Sequence, residues 1–173
     1  PSVIVNMRKI VRVVVVDDHP LFRDGVAGVF ARSRNHEVVG KGGDAAQALR
    51  LAEEFLPDIL LLDINMPCSG LSVIADIRQS CPVVKIVMLT SCEEEDRVVE
   101  AMSLGARGYV IKGVSGESLL ETVTSIDAGE TYVSPGLAAR LLEYMMQKQT
   151  KEQHTGDVNA LTHREEEILD FVA

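Results

Sequence analysis

Tryptophan is absent from this sequence, and aromatic residues account for only 4% of its 173 residues. Aliphatic side chains must therefore supply most of the core. The cysteines, Cys68, Cys81 and Cys92, are odd in number and lack the spacing of a metal site. That pattern fits a reducing cytoplasm better than a disulfide framework. No apolar run reaches transmembrane length and no signal peptide is visible, so we expect no membrane partner.

Basic residues are also scarce, since 17 Lys and Arg stand against 26 Asp and Glu, for a net charge of −9. A chain of this charge repels phosphate groups, so the sequence argues against binding of nucleic acid or of an anionic membrane by this segment alone. The hydrophobic content of 46% with 25% charged residues is ordinary for a globular protein. The length suits one full domain and an appendage.

The most informative stretch is a run of four valines, 13–16, followed directly by Asp17, Asp18, His19 and Pro20. An unbroken apolar run predicts a strand buried on both faces, as found in the middle of a parallel sheet. Pro20 suits the first turn of a helix, where its missing N–H would be unpaired in any case. Each acid has an ordinary alternative role as a helix cap.

Strands and helices alternate along the first 130 residues. The predicted strands are 13–16, 36–41, 59–63, 85–89 and 108–112, with helices at 20–32, between 44 and 57, between 71 and 82, and at 93–104 and 115–128. In the second helix, the apolar face is predicted to carry Ala45, Ala48, Leu49 and Ala52. This alternation implies right-handed crossovers and a parallel α/β sheet.

Polar residues of distinct kinds end four of these strands: Asp17 with Asp18, then Asp63, Thr90 and Lys112. Since the carboxyl ends of parallel strands share one edge of a sheet, we expect these side chains to converge. Carboxylates that lie so close repel one another unless a cation, such as a divalent ion, lies between them. The combination suits phosphoryl transfer, which depends on positioning and charge neutralisation.

In this interpretation Asp63 is the nucleophile that forms an aspartyl phosphate. Asp18 and Asp63 hold Mg²⁺ together with waters and a backbone carbonyl, and Asp17 assists through the outer shell. Lys112 pairs with one phosphoryl oxygen, and the Thr90 hydroxyl donates to another.

Taken singly, several residues near these strand ends have simpler explanations. Thr90 alone is typical of a strand-end hydroxyl bonded to backbone, and Lys112 alone of a solvated lysine. Tyr109 fits either a packed strand aromatic or a mobile switch residue, because its polar tip can point either way. His19 is interpreted as a helix-start residue rather than a metal ligand.

Four motifs carry a family resemblance. They are Val-Asp-Asp-His-Pro-Leu-Phe-Arg at 16–23, Leu-Leu-Asp-Ile-Asn-Met-Pro at 61–67, Leu-Thr at 89–90 and Tyr-Val-Ile-Lys at 109–112. With them, residues 8 to about 128 resemble the receiver domain of a bacterial two-component response regulator. The run at 18–23 and the tail at 161–169 resemble the subfamily that carries a LuxR-type helix-turn-helix. In that tail, Thr162 and Glu165 match a helix capping box.

The resemblance implies a flavodoxin-like, doubly wound sheet of five parallel strands in the order 2-1-3-4-5. It implies a receiver domain at 8–130, a helical and polar linker at 131–160, and an incomplete DNA-binding domain beginning at 161–173. Only the full-length protein is then expected to bind DNA, because this segment supplies no recognition helix.

The resemblance also implies that Asp63 takes its phosphoryl group from the histidine of a sensor kinase. Mg²⁺ would contact Asp18, Asp63 and the backbone carbonyl of Asn65, and Thr90 with Tyr109 would form the switch pair. Phosphorylation would favour a homodimer. The protein would be a phosphoacceptor that supports its own phosphorylation and dephosphorylation, and not an enzyme.

Other function classes remain open on the sequence alone. One is a stand-alone receiver that acts through protein–protein interaction, against which the capping-box helix argues. A phosphohydrolase with an aspartyl nucleophile would place its acid pair and nucleophile on the first strand, whereas here the nucleophile ends the third. A flavodoxin-like electron carrier would need a phosphate-binding loop after the first strand, where this chain has acids.

Overall fold

The computed structural model describes residues 8–67, 70–91, 95–133, 135–136 and 138–152. The chain divides into two compact units, one ending at residue 134 and the other beginning at residue 135. The predicted helix at 161–173, with its capping box, lies outside the described residues.

Within the described part of the first unit, six parallel strands form one sheet in the order β2-β1-β3-β4-β5-β6. The strands are β1 (Val11–Val16), β2 (His36–Gly42), β3 (Ile59–Asp63), β4 (Lys85–Thr90), β5 (Gly108–Ile111) and β6 (Tyr132–Val133). The helices are α1 (Pro20–Ala31), α2 (Ala45–Phe55), α3 (Gly70–Ser80), α4 (Glu95–Ser103) and α5 (Gly116–Asp127). The predicted flavodoxin-like parallel sheet, with its first five strands in the order 2-1-3-4-5, is confirmed.

The sheet has one strand more than the five predicted, because Tyr132–Val133 adds β6 to the outer edge of β5. Gly129, with φ of +102°, lies in the turn after α5, and the Tyr132 N–H donates to the Arg107 carbonyl at 3.1 Å. Two residues are too short to show an apolar period. This strand therefore depends on the open edge of β5 rather than on a pattern of its own.

The centre of the sheet is buried as the valine run predicts. Val13, Val14, Val15 and Val16 of β1 have no exposed surface, nor have Ile59 to Leu62 of the neighbouring β3. In the register, Val13 pairs with Ile59 and Val16 with Leu62, so the two runs end side by side. Each fully buried aliphatic side chain stabilises the fold by roughly 1.5–3 kcal/mol relative to its exposed form.

Helix α2 packs on the sheet through a face slightly different from the predicted one. Ala48 and Ala52 are buried as predicted, but Leu51 is buried with them while Leu49 is only half-buried. The two methyl groups of Leu51 would lie only 3.1 and 3.0 Å from a β-carbon added to Gly40 and to Gly42 of β2. The missing side chains of those glycines therefore make the space that Leu51 fills.

The second unit contains a helix over residues 138–152, on which Leu142, Met145 and Met146 are exposed. Among the helices of the described ranges, none combines the length and apolar character needed to cross a membrane.

The burial of β3 leads to a stability prediction. Leu61→Ala removes a side chain with no exposed surface, and we expect the free energy of unfolding to fall by about 2–5 kcal/mol. Leu21→Ala is the control, since Leu21 is 89% exposed and its truncation should cost less than about 0.5 kcal/mol. Urea denaturation of both variants measures the difference, and equal losses would contradict the buried position of Leu61.

Candidate functional site

The carboxyl ends of the central strands place three titratable side chains together at one edge of the sheet. Asp17 directly follows β1, Asp63 ends β3, and Lys112 directly follows β5. Asp17 and Asp63 have no exposed surface, and Lys112 is mostly buried. Asp17 and Asp63 are 46 positions apart in the sequence, and Asp63 and Lys112 are 49 positions apart. They meet because the parallel crossovers return each strand to the same edge of the sheet.

Lys112 bridges the two buried carboxylates. Its Nζ lies 2.7 Å from Asp17 Oδ2 and donates to Asp63 Oδ2 at 3.2 Å. Its Nζ also lies 4.5 Å from the centroid of the Phe22 ring, and its backbone N–H donates to the Thr90 carbonyl at 2.7 Å. Buried charges are tolerated when they are paired in this way. The position of Lys112 is therefore fixed by its backbone hydrogen bond, by the Phe22 ring and by the two carboxylates.

The pKa of Asp63 is raised above its usual value, and burial is the main cause. The nearby charge of Asp17 raises this pKa further. Two contacts oppose the shift: the Asn65 backbone N–H, which donates to Asp63 Oδ1 at 2.9 Å, and the ammonium of Lys112. Asp63 is thus a buried carboxylate whose two oxygens each accept a hydrogen bond.

The pKa of Lys112 is also raised. Burial acts to lower it, but the hydrogen bonds and negative charges of Asp17 and Asp63 together outweigh the burial. Lys112 therefore remains an ammonium at neutral pH and can neutralise negative charge that is added beside Asp63.

His19 occupies the N-cap position of α1, so the predicted position at the start of a helix is confirmed, whereas the prediction that it is no metal ligand stays a prediction. Its backbone N–H donates to Asp17 Oδ1 at 2.8 Å. Its ring also faces the acids, with Nδ1 at 3.1 Å from Asp17 Oδ1 and 3.0 Å from Asp18 Oδ1. Asp63 Oδ2 lies 4.0 Å from the same nitrogen.

These acids form a donor set that fits a divalent cation. One ligand atom from each of Asp17, Asp18, His19 and Asp63 lies within 4.8 Å of the others. Three carboxylates face one lysine, so the cluster carries excess negative charge. Carboxylate oxygens are the donors that Mg²⁺ favours.

Asn65 takes part in a side-chain network that the sequence did not reveal. Its Oδ1 accepts a hydrogen bond from Arg97 Nη1 of α4 at 2.7 Å, and its Nδ2 donates to Ser91 Oγ at 3.4 Å. Arg97 follows a run of acids, where a basic residue is typical of a solvated helix surface. The sequence holds no signal for this contact, because only the fold brings α4 against the loop after β3.

Arg23 of α1 is a second missed residue. Its guanidinium donates to the Asp17 backbone carbonyl at 2.9 Å and to the Gly42 carbonyl at 3.4 Å. Arg23 is part of the motif at 16–23, but nothing in the sequence predicts its role. These two hydrogen bonds connect α1 with the carboxyl ends of β1 and β2.

Thr90 and Tyr109, the predicted switch pair, are both buried. Thr90 pairs with Ile111 and Met88 with Tyr109 in the register of β4 and β5. Because side chains alternate along a strand, Thr90 and Tyr109 lie on the same face of the sheet. The ring of Tyr109 points into the protein rather than into solvent.

The paired charges lead to a prediction about the pKa of Asp63. Lys112→Met keeps the side-chain volume but removes the ammonium that lowers this pKa, so we expect the pKa of Asp63 to rise further. Titration of the carboxyl carbon by ¹³C NMR without divalent ions measures the shift. Lys85→Met is the control, because Lys85 contacts Asp127 and should leave Asp63 unchanged. An unchanged or lower pKa in the Lys112 variant would contradict the pairing.

Comparison with known proteins shows the family. A family model described as the response regulator receiver domain matches residues 13–124. The transcriptional regulatory protein DegU of Brevibacillus brevis is 34% identical over 181 residues, covering 97% of this chain and 76% of that protein. The response regulator GacA of Pseudomonas aeruginosa is 35% identical over 164 residues, covering 94% of this chain and 75% of that protein.

A solved structure supports the same assignment. The crystal structure of a LuxR-family two-component response regulator from Aurantimonas sp. SI85-9A1 matches with a TM-score of 0.74 and 31% identity, over 80% of this chain and 99% of that one. These matches give no support to an electron carrier or a phosphohydrolase. The chain belongs to the two-component response regulators of the LuxR type, which act in transcription regulation, and its first unit contains the receiver domain.

Proposed function

We propose that this receiver accepts a phosphoryl group on Asp63 from the phosphohistidine of a sensor kinase. The observation that carries the proposal is the buried Asp63 carboxylate, oriented by the Asn65 N–H and Lys112 and set beside a second buried acid. An Asp63 oxygen attacks phosphorus, the new O–P bond forms as the P–N bond to the kinase breaks, and the electron pair returns to the imidazole nitrogen. The protein is a phosphoacceptor in this exchange and not an enzyme that acts on other molecules.

Each neighbouring residue has a role that follows from its position. Lys112, already held beside Asp63 Oδ2, pairs with an oxygen of the transferred group. The Thr90 hydroxyl, at the end of the adjacent strand, donates to another. These groups stabilise charge on the equatorial oxygens, which is what phosphoryl transfer requires of a protein.

Asp18, Asp63 and the backbone carbonyl of Asn65 would hold Mg²⁺, with Asp17 assisting from the outer shell. The donor set described above supports this assignment. When bound, the ion supplies positive charge that offsets the negative charge of the phosphoryl oxygens. The same surroundings support later hydrolysis of the aspartyl phosphate by water, so the chain takes part in its own dephosphorylation.

The output of the site is a change of conformation. Inward movement of the Thr90 hydroxyl toward the phosphoryl group would leave space for Tyr109 on the same face of the sheet. Such a local charge change biases a two-state element, and we propose that it favours a homodimer.

The dimer would act through a DNA-binding domain of the full-length protein, inside the cytoplasm. We propose domain limits of 8–130 for the receiver, 131–160 for the linker and 161–173 for the start of the output domain. These limits, like the site roles, rest on the motifs and on the family.

The central test is chemical. Incubation with acetyl phosphate and Mg²⁺ should add the mass of one phosphoryl group to the wild-type chain and none to Asp63→Ala. Asp17, the other buried acid that contacts Lys112, should remain unlabelled in that variant. Intact-mass spectrometry reads the result. Asp24→Ala is the control, because Asp24 is 63% exposed in a surface pair with Lys41 and should label normally. Labelling of Asp63→Ala, or labelling without Mg²⁺, would refute the assignment.

The switch has a separate test. Beryllofluoride, a stable phosphoryl mimic, should shift the wild-type chain toward dimer in sedimentation velocity at micromolar concentrations. Thr90→Val keeps the shape but removes the hydroxyl, so it should take up the phosphoryl group yet show a smaller shift. Equal sedimentation of wild type with and without the mimic would count against dimerisation, and an equal shift in both proteins would count against the role of Thr90.

A further inference from the structure

We propose that His19, which stands at the N-cap of α1, is a metal ligand, and that the site therefore takes a first-row transition ion such as Ni²⁺ or Co²⁺ more tightly than carboxylates alone would. The inference rests on the proposed function in that it uses the same ion site. The inference goes beyond the proposed function because it adds a nitrogen donor and names the class of ion that this donor selects.

The spacing of the donor atoms supports the assignment. Around a six-coordinate ion with ligands at about 2.1 Å, neighbouring ligand atoms lie about 3.0 Å apart and opposite ones about 4.2 Å apart. His19 Nδ1 lies 3.0 Å from Asp18 Oδ1 and 4.0 Å from Asp63 Oδ2. The first distance matches neighbouring positions and the second is close to that of opposite positions.

The backbone holds His19 in this place. Its N–H donates to Asp17 Oδ1 at 2.8 Å, and its carbonyl accepts from the Arg23 N–H at 3.0 Å. Pro20 follows at the first helical position and restricts the chain there. The His19 side chain makes no capping hydrogen bond although it stands at the N-cap. Its Nδ1 is instead directed at the acids.

The two oxygens of Asp17 divide the site into a lysine side and a histidine side. Asp17 Oδ2 contacts Lys112 at 2.7 Å, whereas Oδ1 lies 3.1 Å from His19 Nδ1. The ammonium and the imidazole thus contact different oxygens of Asp17, whereas Asp63 Oδ2 lies 3.2 Å from the ammonium and 4.0 Å from His19 Nδ1. An open cavity of about 400 Å³, lined by His19, Leu21, Phe22, Ser91 and Lys112, connects this region with solvent.

A nitrogen donor changes which ions the site favours. Mg²⁺ favours oxygen ligands, whereas imidazole suits Ni²⁺, Cu²⁺ and Zn²⁺, and affinity for a mixed nitrogen and oxygen site increases from Mn²⁺ to Cu²⁺. His19 should therefore strengthen the binding of Ni²⁺ while contributing little to the binding of Mg²⁺. Asn is the informative replacement, since it is among the preferred N-cap residues but has no imidazole nitrogen.

The test compares wild type with His19→Asn by isothermal titration with Ni²⁺ and with Mg²⁺. We expect the substitution to weaken Ni²⁺ binding by about tenfold or more and to change Mg²⁺ binding by less than about twofold. The other histidines are present in both proteins, so their contribution cancels in the comparison. Pulsed electron paramagnetic resonance of the Mn²⁺-loaded chain gives a second readout, in which wild type shows coupling to ¹⁴N of an imidazole and His19→Asn does not.

Three results are informative in different ways. Loss of both the Ni²⁺ preference and the nitrogen coupling in His19→Asn supports the proposal. Equal Ni²⁺ affinity in the two proteins, or Mn²⁺ bound without nitrogen coupling, overturns it while leaving the acceptor function intact. Absence of any divalent ion at the site, together with no labelling of Asp63 by acetyl phosphate, overturns both this inference and the proposed function.

Discussion

The site depends on the pairing of one ammonium with two buried carboxylates. Asp17 and Asp63 come from adjacent strands and would repel each other strongly without a cation between them. Lys112 supplies that cation from β5, which is separated from β3 by β4. The pairing therefore requires β1, β3 and β5 to end at one level, and any change of register in the sheet would break it.

The order of the strands explains why this edge becomes a site at all. β1 lies between β2 and β3, so the chain reverses its direction of winding there and leaves a crevice above the strand ends. α1 leaves this crevice through His19 and Pro20, and Arg23 ties it back to the ends of β1 and β2. On the other side, Arg97 of α4 bonds to Asn65, which itself holds Asp63. α4 is thus connected to Asp63 by two successive hydrogen bonds, and α1 is connected to it through Asp17 and Lys112.

These connections bear on how a change at Asp63 can reach the protein surface. In the proposed function, negative charge added at Asp63 would act first on its two hydrogen-bond donors, the Lys112 ammonium and the Asn65 N–H. Thr90 and Tyr109 share one face of the sheet, and the register of β4 and β5 sets their positions. The proposed switch would move Thr90 and Tyr109 on β4 and β5 and leave the aliphatic centre formed by β1 and β3 in place.

Local sequence determines the central strands and the residues at their carboxyl ends. The apolar runs at 13–16 and 59–62 determined two strands buried on both faces, and the acids, threonine and lysine after the strands determined which chemistry the shared edge can support. Tertiary structure alone decided three further features. The two residues of β6 pair with the open edge of β5, and Leu51 packs against two glycines of β2. The third feature is the hydrogen bond between Arg97 and Asn65. Periodicity reports only which face of an element is apolar, whereas these contacts depend on the partner that each element meets after folding.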